Sequence, residues 1–239
     1  MWSISKKELG QFFSSLTGLI AIVVFLLVNG LVLFVFRNNI LDYGYATLEN
    51  FFSIAPWILI FLVPAITMRS FADEYKGGTF EILRTRPVTG WQIVTGKFVG
   101  SLVVAVIALI PTLTYYFTIN QLAATSGIDA GAAAGSYLGL LFLAAVFTAI
   151  GVCVSSFTTN SVVAFILSLL ACAVLYYGFH AISELPLFEG GADYYIEMLG
   201  IDFHYGSISR GVIDTRDIIY FLSLTVFFLL ITRQNLSKR

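Results

Sequence analysis

Of 239 residues, 58% are hydrophobic and only 11% charged, whereas soluble domains carry about 25% charge. That deficit excludes an ordinary globular enzyme, and a net charge of −1 provides no bulk field for nucleic acid. Length allows one or two domains, but the long apolar runs favour a single membrane domain over 1–239. Cys153 and Cys172 both sit inside apolar runs, offer no disulfide framework and read as packing residues.

Residues 1–15 place Lys6, Lys7 and Glu8 among Trp2, Ile4, Leu9, Phe12 and Phe13, the pattern of a short interfacial helix. A secretory leader competes with this reading. However, Leu16–Phe36 is uncharged for 21 residues, beyond the usual core of about 7–15, and no small-residue cleavage site follows. The stretch is expected to be a first span. Arg37 to Asn50 is a polar link. Phe51–Met68 is a second uncharged run, kinked by Pro56 and Pro64, which a bundle tolerates when neighbours satisfy the freed carbonyls.

Arg69–Lys97 interrupts the apolar pattern with Arg69, Asp73, Glu74, Lys76, Glu81, Arg84, Arg86 and Lys97. Lipid penalises each buried charge by a few kcal/mol, so this segment is expected in water. It also carries Phe71, Tyr75, Phe80, Ile82 and Leu83, more apolar surface than a solvated connector needs. Thr79 suits an N-cap, Glu81 the first turn, and Arg84 and Arg86 the end of a short helix that Gly77–Gly78 precede and Pro87 stops. Phe80 and Leu83 share a face. So short a helix needs a surface to sit on, with apolar anchors inserted and charges at the rim. A merely solvated connector is the plain alternative.

A third span is expected from near Phe98 to about Ile119, then a flexible loop over Gly127 to Gly135. No Asp, Glu, Lys or Arg occurs from Ala130 to Ser183, enough for two spans of about 20 residues each, divided at Ser155–Ser161. Gly131, Gly135 and Gly139 recur at the spacing that lets helices approach closely, without saying which partner approaches. Glu184–Asp217 sets seven acids against Arg210 and Arg216 and includes an amphipathic piece, Tyr194–Leu199. Ile218–Thr232 is a short last span of 15 residues.

Six spans put both termini on one side. The N-terminus, the 69–97 loop and the C-terminal tail hold ten of the Lys and Arg residues, against Arg37, Arg210 and Arg216 opposite. The excess assigns those ten to the cytoplasm and the acidic 184–217 segment to the outside. The expected fold is all-α: a polytopic bundle of six transmembrane helices with cytoplasmic interfacial and coupling helices and short extracytoplasmic helices.

Little here suggests catalysis. Gly90 to Lys97 imitates a phosphate-binding loop, yet five residues separate its glycines and Phe98 stands where a Ser or Thr would hold Mg²⁺. His180 and His204 are too far apart for a helix-borne metal pair, and no Ser/His/Asp set or membrane carboxylate pair appears. Asn29, mid-membrane, reads first as interhelical glue and second as a lining of a substrate path.

Glu74-x-x-x-Gly78-Thr79-x-Glu81-x-Leu83-x-x-x-Pro87, with Gly96-Lys97-Phe98 entering a span, resembles the coupling segment of ABC-2-type exporter permeases. Lys6-Lys7-Glu8-Leu9 before the first span, Ser155-Ser156 and Asn160 at the fourth turn, and six spans extend the resemblance over the whole chain. The order of elements is also similar to the gliding-motility-associated permeases of that family. The resemblance implies two paired transmembrane domains, as a homodimer or with another subunit, in an inner membrane. Each would contact a separate ATP-binding subunit that holds ATP and Mg²⁺, with no cofactor on this chain. Glu74, Gly78, Thr79, Glu81, Leu83 and Pro87 would then transmit nucleotide-driven closure, and the segment before the last span would form outer helices, a lid. An anchoring or assembly component that moves no solute, and an intramembrane enzyme, are the competing classes.

Overall fold

The computed structural model describes residues 2–36, 47–85, 87–123, 129–186 and 191–238, and contains helices but no strand among them. Helix α1 is Trp2–Phe13 and α2 Leu16–Phe34; α3 is Glu49–Thr67, followed by short α4, Ala72–Lys76, and α5, Thr79–Arg84. Helix α6, Gly90–Leu109, continues through a 3-10 turn at Pro111 into α7, Leu113–Leu122. Then come α8, Ala130–Ser155, and α9, Ser161–Ala173, which runs through a π turn at Val174–Gly178 into α10, Phe179–Ser183. Helices α11, Ala192–Glu197, α12, Ile201–Ser209, and α13, Thr215–Lys238, complete the chain.

Five stretches are long and apolar enough to cross a membrane: Glu49–Lys76, Gly90–Leu122, Ala130–Ser155, Ser161–Ser183 and Thr215–Lys238. A sixth arises if Trp2–Phe13 and Gly18–Phe34, bent by 71°, count as one. The described residues thus hold five or six candidate spans, against the six expected.

Helix α8 is the axis of the bundle, packing against α3, α6, α9, α12 and α13. Its composition explains why. Lipid is as apolar as the helices, so association depends on close packing, which small residues permit. Gly139, Ala144, Ala149 and Gly151 line α8, and a Cβ on Gly151 would collide with Thr67 Oγ1 on α3. Gly135 and Gly139 face Gly211, Ile208 and Tyr205, so α12 and the turn after it are the partner that glycine spacing left unnamed.

The structure corrects several boundaries. The third span starts near Gly90, because Thr89 and Gln92 form a reciprocal capping box that begins the helix before Phe98. Helix α8 starts at Ala130, capped by Asp129, so Gly131 and Gly135 are helical and not loop; residues 124–128 lie outside the described set. The last span is a 24-residue helix, since Arg233 prolongs it and does not end it. Most of the 37–50 link and Arg86 also lie outside the described residues. Within the 184–217 segment, α12 buries Ile201, His204, Tyr205 and Ile208 in the bundle.

Candidate functional site

Two regions gather polar groups against the bundle. At the end carrying α4 and α5, Lys97 on α6 is fully buried. Its ammonium lies 2.7 Å from Glu8 Oε1 and 3.0 Å from Glu74 Oε1, donates to the Ser70 carbonyl, and sits 4.8 Å from the Phe71 ring centre. Lys7 also reaches Glu74 Oε1, at 2.7 Å. Lys7 and Glu8 belong to α1, Glu74 to α4 and Lys97 to α6, so four charges join three elements. The expectation that the whole charged stretch lies in water therefore fails for Lys97 and Glu74. Two hydrogen bonds, to Glu8 and the Ser70 carbonyl, and the adjacent Glu74 carboxylate offset the cost of burying the lysine.

Close backbone approach makes the junction possible. Ser5 Oγ donates to the Gly96 carbonyl at 2.8 Å, and a Cβ on Gly100 would meet Glu8 Cβ at 2.8 Å. Ser155 fastens the break between α3 and α4: its hydroxyl donates to the Met68 carbonyl and accepts from the amides of Phe71 and Ala72. Those amides are orphan donors at a helix start. Asn235 donates to the carbonyl and hydroxyl of Ser156, which ties α13 to the same corner, while Asn160 caps α9 through the Val162 amide.

Among the six expected coupling residues, Gly78, Thr79, Glu81 and Pro87 are exposed on this end, Leu83 is half-buried and Glu74 belongs to the charge junction. The N-cap is Gly78, left-handed at φ 65°, and not Thr79, whose hydroxyl donates to the Glu74 carbonyl at 3.4 Å. Glu81 does fall in the first turn. The apolar face turns inward. Phe80 and Leu83 join a second core with Phe71, Ile93, Val94, Val152, Leu229 and Leu236, which leaves Ile82 as the outward apolar residue, 61% exposed. Phe80 is thus an anchor to this chain's own bundle.

Asn29 is buried, with its amide donating to the Phe25 carbonyl of its own helix at 2.7 Å and its Oδ1 without a hydrogen-bond partner.

The second region lies at the opposite ends of α3 and α8. A cavity of about 730 Å³ is walled by the start of α3, the start of α8, the π turn and α12. Tyr205 reaches across it, its hydroxyl donating to the Phe52 carbonyl at 2.7 Å. Pro56 explains the bond, because it has no amide to give the carbonyl four residues earlier. Burial, reinforced by the Asp202 carboxylate, pushes the Tyr205 phenol up, so it remains a donor. Next to the cavity, His204 Nδ1 lies 2.7 Å from Asp217 Oδ1 and Nε2 3.0 Å from the Met198 carbonyl, with the ring stacked on Tyr220 at 3.9 Å. This joins α12 to α13. His180 sits 3.5 Å from Glu184, one helical turn on, and 3.4 Å from Glu197. Sequence reasoning missed the His204–Asp217 partnership, which follows no motif.

Membrane-length helices around a small-residue axis, with polar junctions at both ends, define a polytopic helical membrane protein. Residues 2–185 match the model of the ABC-2 family transporter protein, and the chain belongs to that family. Members are generally non-catalytic membrane subunits that typically pair with an ATP-binding subunit. No curated protein matches the chain.

Proposed function

We propose that this protein is the permease subunit of an ATP-driven exporter of the ABC-2 type, resident in an inner membrane with both termini cytoplasmic. Two such transmembrane domains, identical or not, form the translocation path, and a separate ATP-binding subunit carrying ATP and Mg²⁺ contacts each at α5. The observation that carries the reading is the construction of α4–α5. Its apolar residues fasten it to the bundle, while Gly78, Thr79, Glu81, Ile82 and Pro87 stay exposed on its outer side. A push on α5 would reach α1 and α6 through Glu74 and Lys97. The excess of Lys and Arg on this end supports a cytoplasmic placement. The order of elements makes a gliding-motility complex the first setting to examine.

Affinity purification from membranes in mild detergent tests the reading. An ATP-binding subunit in stoichiometric amount, and ATP-dependent solute movement in the reconstituted complex, are the expected results. A stoichiometric partner without solute movement would favour the anchoring role. No ATP-binding partner with an intact bundle would overturn the exporter reading.

A further inference from the structure

The cavity between α3, α8, the π turn and α12 has a chemistry that the exporter reading does not assign. Its volume of about 730 Å³ lies within the range of about 300–1,000 Å³ typical of small-molecule sites. One wall is aromatic: Trp57 meets Tyr176 edge-on at 5.5 Å and Tyr177 at 5.4 Å, and remains 42% exposed. The two tyrosines are presented by the π turn, a helix irregularity that recurs at functional sites. Glu49, Asp129 and Asp202, the last hydrogen-bonded to the Tyr176 side chain, line the cavity against Arg210 alone among the described residues. One Asp129 oxygen caps α8, and the Arg210 Nε donates to the Gly206 carbonyl, so neither is committed to the other.

We propose that this cavity binds an organic cation, a substituted ammonium on an apolar body. An aromatic wall attracts a cation through the ring quadrupoles and accepts its apolar part. Surplus carboxylates in a site partly withdrawn from water select for the positive charge. A neutral sugar would use the same rings but leave the surplus negative charge unanswered, and an anion would be repelled. Use of the cavity as part of the translocation path rests on the permease reading; binding in the isolated chain does not.

The test is equilibrium dialysis of labelled tetraphenylphosphonium against the full chain in nanodiscs, with empty nanodiscs as the blank. Tetraphenylborate, of the same shape and opposite charge, and sucrose as a neutral competitor complete the set. Saturable phosphonium binding is expected, with no saturable borate binding and no displacement by sucrose. Glu49→Gln and Asp202→Asn should each weaken binding by about tenfold, and Trp57→Ala by a similar factor. Equal binding of the two ions, displacement by sucrose, or no saturable phosphonium binding to the unaltered chain would overturn the proposal. The unaltered chain decides the matter even if a variant fails to fold. Binding without an ATP-binding partner would leave this site standing while the exporter reading fell; ATP-driven transport of another solute without phosphonium binding would do the reverse.

Discussion

The Tyr205 hydroxyl donates to the Phe52 carbonyl, the group that Pro56 leaves without a helical donor. A kink in one span and the insertion of α12 are therefore one feature. Proline opens the hydrogen-bond ladder of α3, and a phenol 153 residues away closes it.

Tyr205→Phe should lower the thermal midpoint of the purified protein, since an unsatisfied buried carbonyl costs about 1–3 kcal/mol. In a Pro56→Ala background the alanine amide restores the helical donor, so the same change should cost far less. Scanning fluorimetry of the four proteins measures this coupling. Equal losses in both backgrounds would mean that the hydroxyl is not serving that carbonyl.

Lys97→Met should be among the most damaging single changes, about 3–5 kcal/mol, because it leaves the Glu8 carboxylate without its cation and Glu74 with the half-exposed Lys7 alone. Adding Glu8→Gln and Glu74→Gln should recover much of the loss. Yield of monodisperse protein after detergent extraction, together with its thermal midpoint, reports both effects. No recovery in the triple variant would show that Lys97 acts through packing alone.

Gly151→Ala should destabilise the protein by about 1–3 kcal/mol through overpacking, since its methyl would enter the volume of the Thr67 side chain. Thr67→Ala should relieve part of that strain and make the double variant milder than Gly151→Ala alone. Additive losses in thermal stability would contradict the close contact of α3 and α8.

Helix α5 separates two kinds of change. Ile82→Asp and Glu81→Ala alter exposed side chains and should leave the fold intact while reducing copurification of an ATP-binding subunit and its stimulated ATPase activity. Phe80→Asp and Leu83→Asp should instead impair the bundle, because both residues pack into the second core. If Ile82→Asp and Glu81→Ala both left copurification and ATPase stimulation unchanged, the outer face of α5 would not be the docking surface.

The apolar runs were readable because composition reports what lipid demands. Spans two, four and five emerged close to their structural limits for that reason. Charge misled where it was expected to mark an edge. Lys97 looked like the end of a loop because its neutralising partners, Glu8 and Glu74, lie 89 and 23 residues earlier and follow no periodic pattern. Arg233 similarly appeared to stop a helix that continues to Lys238. Phe80 and Leu83 were correctly placed on one face, but periodicity states that a face is apolar and not what covers it. The aromatic cavity was invisible for a related cause: Trp57, Tyr176 and Asp202 come from three separated segments that only the tertiary fold brings together.

The junction at Lys97 also bears on the order in which the protein is made. Helix α1 is synthesised first, yet its Glu8 has no cation to hold until α6 emerges some ninety residues later. A buried lysine without a counter-charge is costly wherever it sits in the bundle. When α6 is delivered, Glu8 and Glu74 are already in place to receive that charge. Both carboxylates that neutralise Lys97 therefore precede it in the chain, so the charge on α6 can be answered as soon as that helix packs against α1 and α4.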